Sequence, residues 1–507
     1  MGRLTMKTSG LALGLLAILG GATGCPASTS NNDAGPSTPA DAGHPDAGTT
    51  PDAGSHSTDG GPMYTPQNNH TWATAETLTT NSETVYGVLA DATMTKDYYK
   101  FSAAAGDTYA AFAISQGTVA NNTSGDLTSV VDTVVTIYDS NMNQIAQDDN
   151  AWPSFGTDSQ LFFEVPATGD YYLVVCACSA AFSTGCGTAS DVTYFNYYTF
   201  VANVDLLRES APEIYGGKTQ NGTIADAVTV PYQLDTAAGA TGYDQDIIDG
   251  NLQSATDTQV FAFTPPTASP VPTGTEAHVD FYVQTPGAND GDGSTASPIV
   301  WVTDSTGTNV LARLDVSNYG NGDSMTDGPA DLALPVTLGS QYYLFVQNTV
   351  TTSNPTTDYF FILHEVDSSN PLEQTSAHGT PATAQVLTAA SGETGDYFVS
   401  GTIADPGSEE DWYEVDAPSS STTVTVSCAA ERFGSGLRGT TMGLYTVSGG
   451  TPTLITGTGA TEAANMEFTQ TNVAIPSGTT KAYLEVTAAS QDPAVTGNYY
   501  ECGVTYQ

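Results

Sequence analysis

The chain has 507 residues, with 55 Asp and Glu against 10 Lys and Arg, a formal net charge of −45. A polyanion of this kind repels phosphate backbones, which excludes nucleic acid and leaves divalent cations or basic groups as the partners it attracts. The length predicts about three domains of roughly 150 residues. A hydrophobic share of 39%, with 51 Gly and 26 Tyr, supplies cores and suits turn-rich β structure better than helix.

Residues 1–24 read as an address. Arg3 and Lys7 give a positive start, and Leu11 to Leu19 form an apolar run too short to span a bilayer as a helix. The run ends at Ala22-Thr23-Gly24-Cys25. This resembles the lipobox of bacterial lipoproteins, with Ala22 where Leu is usual. The resemblance implies cleavage before Cys25, lipid on its thiol and an acylated amine. Pro26 follows the Cys; by that family's sorting rule, the absence of Asp there implies the outer membrane of a Gram-negative cell. Residues 25–67 collapse to Asp, Ala, Gly, Pro, Ser and Thr, with Asp-Ala-Gly at 33–35, 41–43, 46–48 and 52–54. Nothing in this stretch can form a core, so it is expected to be a disordered, partly extended tether.

The remainder divides into three stretches: 68–208, 209–370 and 371–507. In the first, Ala73-Thr-Ala-Glu-Thr-Leu78 leads to Gly87-Val-Leu-Ala-Asp91 and then Asp97-Tyr-Tyr-Lys-Phe101. Alternating runs follow at Thr108 to Ile114, Val134 to Tyr138, Leu161 to Val165, Tyr171 to Val175 and Tyr197 to Val201. Turn residues separate them, and no amphipathic helical period competes. The second stretch opens at Ala225-Asp-Ala-Val228 and is blurred: Gly250-Asn-Leu252 precedes Asp257-Thr-Gln-Val-Phe-Ala-Phe263, and aligning the aromatics puts Gln259 where Asp97 stands. The third runs from Pro381-Ala-Thr-Ala-Gln-Val-Leu387 through Gly401-Thr-Ile-Ala-Asp405 and Asp411-Trp-Tyr-Glu-Val415 to Gly497-Asn-Tyr-Tyr-Glu-Cys502. In the first and third stretches the Asp lies ten residues after the Gly. A recurrence of this length marks repeated units of short antiparallel strands, an all-β architecture of tandem sandwiches.

These motifs, in this order, resemble the bacterial pre-peptidase C-terminal domain. The likeness rests on Ala75 to Leu78, Gly87 with Asp97 to Phe101, Ile137-Tyr-Asp139 and Gly169-Asp-Tyr-Tyr-Leu-Val-Val175. It is good over 71–205, fair over 381–507 and weak over 220–366. It implies three jelly-roll-like β-sandwiches. Domains of that family usually accompany a secreted peptidase and serve folding, secretion or substrate attachment; relatives bind collagen or polysaccharide, some with Ca²⁺. This chain shows no catalytic domain beside them.

No His-Glu-x-x-His or Gly-x-Ser-x-Gly motif is present, and His70, His278, His364 and His378 fall at different places in the three stretches, so no catalytic convergence is expected. With Cys25 lipidated, Cys428 and Cys502 are the pair available to the third stretch. Cys178 and Cys186 flank a short tip and can be stapled; Cys176 is the competing partner for Cys186, leaving one thiol over. Candidate ligands for Ca²⁺ are the loop carboxylates Asp126, Asp132, Asp148 and Asp149 in the first stretch and Asp290, Asp292 and Asp323 in the second. The expected function is a non-enzymatic, surface-anchored lipoprotein that binds extracellular polysaccharide, matrix protein or another envelope protein. The alternative is a structural spacer of the envelope with no ligand of its own, and an enzyme accessory module comes third.

Overall fold

A computed structural model describes residues 68–78, 84–89, 96–115, 132–148, 159–178, 196–203, 214–216, 221–230, 232, 246–252, 254–267, 277–284, 298–315, 330–349, 359–367, 373, 377–389, 395–462 and 468–507. The tether and the address, including Cys25, lie outside these residues. No helix among the described residues is long and apolar enough to cross a membrane.

The regular structure of the described chain is almost entirely strand, arranged as sheets packed face to face. In the first stretch the strands are β1 (Glu76–Thr77), β2 (Val85–Val88), β3 (Lys96–Ala103), β4 (Thr108–Ser115), β5 (Thr133–Asp139), β6 (Gln144–Asp148), β7 (Ser159–Glu164), β8 (Gly169–Ala177) and β9 (Asn196–Asn203). One sheet has the order β1-β3-β8-β5-β6 and the other β2-β9-β4-β7. The period of two in β3 turns Asp97, Tyr99 and Phe101 inward and leaves Tyr98 and Lys100 half-exposed. Inward residues of both sheets merge into one core, including Phe101, Val135, Leu173, Phe163 and Val201. Phe101 meets Tyr109, Phe163 and Tyr171 at centroid distances of 5.5, 6.4 and 6.0 Å, tilted or edge-to-face geometries that suit ring quadrupoles.

The same strand order occurs twice more. In the second stretch Val228–Val230, Thr258–Phe263, Tyr342–Asn348, Pro298–Thr303 and Val310–Asp315 make the sheet equivalent to β1-β3-β8-β5-β6. In the third, Gln385–Val386, Glu410–Asp416, Lys481–Thr487, Thr441–Ser448 and Thr451–Leu454 do so. Each time the short first strand pairs parallel with the strand that carries the repeat's aromatics, and all its other neighbours are antiparallel. A 3₁₀ turn leads in each time, at Trp72–Thr74, Ile224–Asp226 and Pro381–Thr383. Just before each turn a backbone carbonyl caps the aromatic strand: Asn69 to Tyr98 N–H (2.8 Å), Asn221 to Val260 N–H (2.8 Å) and His378 to Trp412 N–H (3.0 Å). These bonds fix an alignment in which Asn69, Asn221 and His378 are equivalent.

The second core is completed from the third stretch. Phe433 and Tyr499, both buried, join Val302, Leu314, Leu332 and Phe281 in one cluster. Backbone bonds from Arg313 N–H to Gly434 O and from Thr496 N–H to Val310 O, each 2.8 Å, hold the two units together. His278 Nδ1 lies 2.7 Å from Glu501 Oε1 across the same boundary. The contact from the first unit to the second is lighter: Asn251 Nδ2 donates to Glu164 Oε2 at 2.9 Å.

Candidate binding face and the relay beneath it

The residues that recur in the sequence build a buried polar relay between the sheets. Gly87 pairs with Tyr197 across β2 and β9, and Gly401 with Tyr500 across the equivalent strands. The Tyr197 hydroxyl donates to Asp97 Oδ2 at 2.6 Å. Its only proton being spent there, it accepts from the Tyr99 hydroxyl, also at 2.6 Å. The third unit repeats this: Tyr500 donates to Asp411 Oδ2 at 2.7 Å and accepts from Tyr413 at 2.5 Å. The second unit replaces the whole set at once. Gln259 stands for the Asp and Phe261 and Phe360 for the tyrosines, and the Gln259 amide donates to Asn251 O at 2.6 Å instead. A carboxylate without the two hydroxyls would be an unsatisfied buried charge, so the three positions change together.

Burial pushes the Asp97 carboxyl above its ordinary range; the Tyr197 hydrogen bond and the neighbouring His70 pull it part of the way back. Burial also raises Asp411, with Tyr500 opposing and the charge of Glu373 adding to the rise. Two histidines reach these carboxylates, a convergence that their sequence positions conceal. His70 Nδ1 lies 2.8 Å from Asp97 Oδ1. His378, one place earlier in the alignment, points Nδ1 at Asp411 Oδ1 across 3.6 Å and bonds Glu373 Oε1 through Nε2 at 2.8 Å. Glu373 in turn accepts from Thr402 N–H and its hydroxyl at 2.7 and 3.1 Å. Among the described residues, Glu373, His378 and Asp411 are the group of carboxylate and imidazole ligands gathered closely enough for a metal ion, with one atom of each within 4.8 Å of the others. No nucleophile of the Ser or Cys type takes part in either relay.

On the opposite, outer side of the first unit's five-stranded sheet lies an aromatic cluster. Trp72, on the 3₁₀ turn, meets Tyr98, Tyr138 and Tyr172 at centroid distances of 4.7, 5.0 and 5.2 Å. All four rings are half-exposed. The alternation that buries Tyr99, Ile137 and Leu173 dictates that Tyr98, Tyr138 and Tyr172 face outward, and the turn folds Trp72 over them. Lys100 on β3 and Asp170 on β8 lie on the same sheet, paired at 2.7 Å. The other two units carry aromatics on the equivalent face in different arrangements: Trp301 stacks on Phe345 at 4.9 Å, and Trp412 lies 5.1 Å from Tyr445. On the third face Trp412 Nε1 donates to Glu410 Oε2 at 3.2 Å, and Glu414 accepts from Tyr483 at 3.0 Å and from Lys481.

The positions expected to bind metal are placed unevenly. Asp132 and Asp148 are buried in the first unit, and Asp148 closes strand β6 rather than following it. Asp126, Asp149, Asp290, Asp292 and Asp323 lie outside the described residues, as do Cys25 and Cys186. Cys428 and Cys502 are directly opposed on adjacent strands and joined by a disulfide. Cys178 is disulfide-bonded, and Cys176 is a free, buried thiol, which removes it as the alternative partner for Cys186. Sequence reasoning missed Glu373, His378 and the Trp72 cluster as sites; the signal for the last was Trp72 itself, standing immediately before the repeated Ala-Thr-Ala motif.

Residues 95–177 match the family model of the bacterial pre-peptidase C-terminal domain. That span holds β3 to β8, and so Asp97 and three of the four outer aromatics. No curated protein matches the chain. Among solved structures, the tandem CBM51 modules of the family 98 glycoside hydrolase Sp3GH98 from Streptococcus pneumoniae are 9% identical, with 54% of this chain and 88% of that one covered, at a TM-score of 0.17. The M60 catalytic domain of Clostridium perfringens ZmpB with its two CBM51 domains is 9% identical, covering 54% and 34%, at 0.15. The CUB1-EGF-CUB2 fragment of human MASP-1/3 is 9% identical, covering 55% and 98%, also at 0.15. Scores this low carry no statement about shared function.

Proposed function

We propose that the protein is a non-catalytic binding module, anchored to the outer surface of the cell envelope by lipid on Cys25, that takes up extracellular polysaccharide through the outer aromatic face of its first unit. The observation that carries the reading is the Trp72 cluster. Four large rings gathered on a sheet surface, half in water, are not needed for the core, which is complete beneath them. Aromatic rings clustered edge to face around Trp72 and accompanied by a Lys–Asp pair offer what a sugar ring uses: apolar surface for its C–H face and polar groups for its hydroxyls. The acidic tether keeps that face away from the membrane, and neutral or basic polymers are the ones its charge tolerates. Ca²⁺ bound by the loop carboxylates would serve stability and not chemistry.

The test is a glycan and matrix-protein binding screen with the full exported chain, alongside Trp72→Ala. Binding to a polysaccharide that Trp72→Ala weakens at least tenfold, with the thermal unfolding midpoint kept within a few degrees, supports the reading. Binding only to a protein ligand, or polysaccharide binding that Trp72→Ala leaves unchanged, overturns it.

A further inference from the structure

The third unit holds its buried Asp differently from the first, and the difference has the dimensions of an ion. In the first unit His70 satisfies Asp97 Oδ1 directly at 2.8 Å. In the third, His378 is drawn away by Glu373, so that Nδ1 and Asp411 Oδ1 stand 3.6 Å apart, too far for a hydrogen bond. His378 is 5% exposed and its Nδ1 has no hydrogen-bond partner. Such a buried nitrogen requires an explanation. Two ligands of one tetrahedral ion, each bonded at about 2.0–2.1 Å, stand about 3.4 Å apart, close to the gap observed. The other imidazole nitrogen is held by a carboxylate, the arrangement that commonly orients and strengthens a metal-bound histidine. Asp411 Oδ2 is likewise held, by the Tyr500 hydroxyl.

We propose that Glu373, His378 and Asp411 form a site for a divalent transition-metal ion of the zinc class. His378 Nδ1 and Asp411 Oδ1 bind the ion directly, Glu373 fixes the imidazole, and water fills the remaining positions. An imidazole beside few oxygens selects this class over Ca²⁺, which requires six to eight oxygen ligands. The ion would stitch the segment carrying Glu373 and His378 to the strand carrying Asp411, and it would offset two carboxylates confined together. The first unit carries Asn69 where His378 stands, and the second has Asn221 and Gln259 in place of the ligands. Among the described residues the site is therefore found in the third unit, and it is independent of the aromatic face.

The full exported chain, stripped with chelator, is titrated with Co²⁺ and with Zn²⁺, with Ca²⁺ as the control. The expected result is visible Co²⁺ absorption of a nitrogen- and oxygen-ligated site, and a rise in unfolding temperature with Zn²⁺ that persists on top of saturating Ca²⁺. His378→Asn installs the residue that the first two units carry at the equivalent place, and it should abolish both signals. Should that variant fail to fold, Glu373→Gln decides: it should retain the Co²⁺ absorption while weakening affinity by about 10–100-fold. Absence of Co²⁺ absorption in the native chain, or affinity unchanged in the variant, overturns the proposal.

Discussion

Tyr500 occupies the space that a side chain on Gly401 would need: a Cβ built there would lie 2.4 Å from the Tyr500 hydroxyl and 2.8 Å from that of Tyr413. The first unit has the same relation, with Tyr197 Cζ 2.3 Å from a Cβ on Gly87. The Gly and the Asp ten residues later are thus two ends of one device. Glycine lets the tyrosine ring lie flat against the neighbouring strand, and the ring delivers its hydroxyl to the Asp. Gly401→Ala should therefore destabilise the third unit by about 3 kcal/mol, the scale of overpacking a well-filled core. Denaturant unfolding checks this; a change below 1 kcal/mol would mean that the ring has another place to go.

Asp97 should make the first unit less stable as pH rises. Its folded-state pKa is raised above 3.8, chiefly by burial. The native state therefore holds the proton more tightly than the unfolded chain does. The associated stability is full below about pH 4 and is lost as pH climbs through the raised value. Asp97→Asn removes the titration. Unfolding midpoints between pH 4 and 8, measured for both proteins, should fall more steeply with pH in the native protein than in the variant; equal slopes in the two would refute the assignment.

Phe433 belongs to the third unit by sequence and to the second by packing. Phe433→Ala should cost about 3 kcal/mol through the cavity it leaves. The loss should appear in the second unit: hydrogen exchange should quicken along Val310–Asp315 and Ala330–Pro335, the strands beside it. Faster exchange confined to the third unit would show that the two cores are separable.

Cys25→Ser should move the protein from membranes to the soluble fraction if a lipid on that thiol is the anchor. Fractionation of cells expressing each form reads this directly, and membrane association that survives the substitution counts against the anchor.

Much of the strand pattern was legible because period-two alternation and turn residues are local signals: Tyr98 to Phe101 and Tyr171 to Val175 lie within observed strands, and Leu161 to Val165 overruns its strand by one residue. The spacing from Gly to Asp was legible too, as was the substitution of Gln259 for the Asp. The partner that gives this spacing its meaning was not, because Tyr197 lies 100 residues beyond Asp97 and only sheet pairing brings them together. The same holds for the histidines. His70 and His378 occupy different positions in their repeats, yet both turn toward the equivalent carboxylate, at 2.8 and 3.6 Å. Cys428 and Cys502 were readable as a pair by count, but their adjacency is a matter of register. Composition and periodicity determined that this chain would form sandwiched sheets and which residues would point inward. Which inward polar groups meet, and that Phe433 would close a neighbour's core, was decided by long-range strand pairing, whose contacts no local pattern encodes.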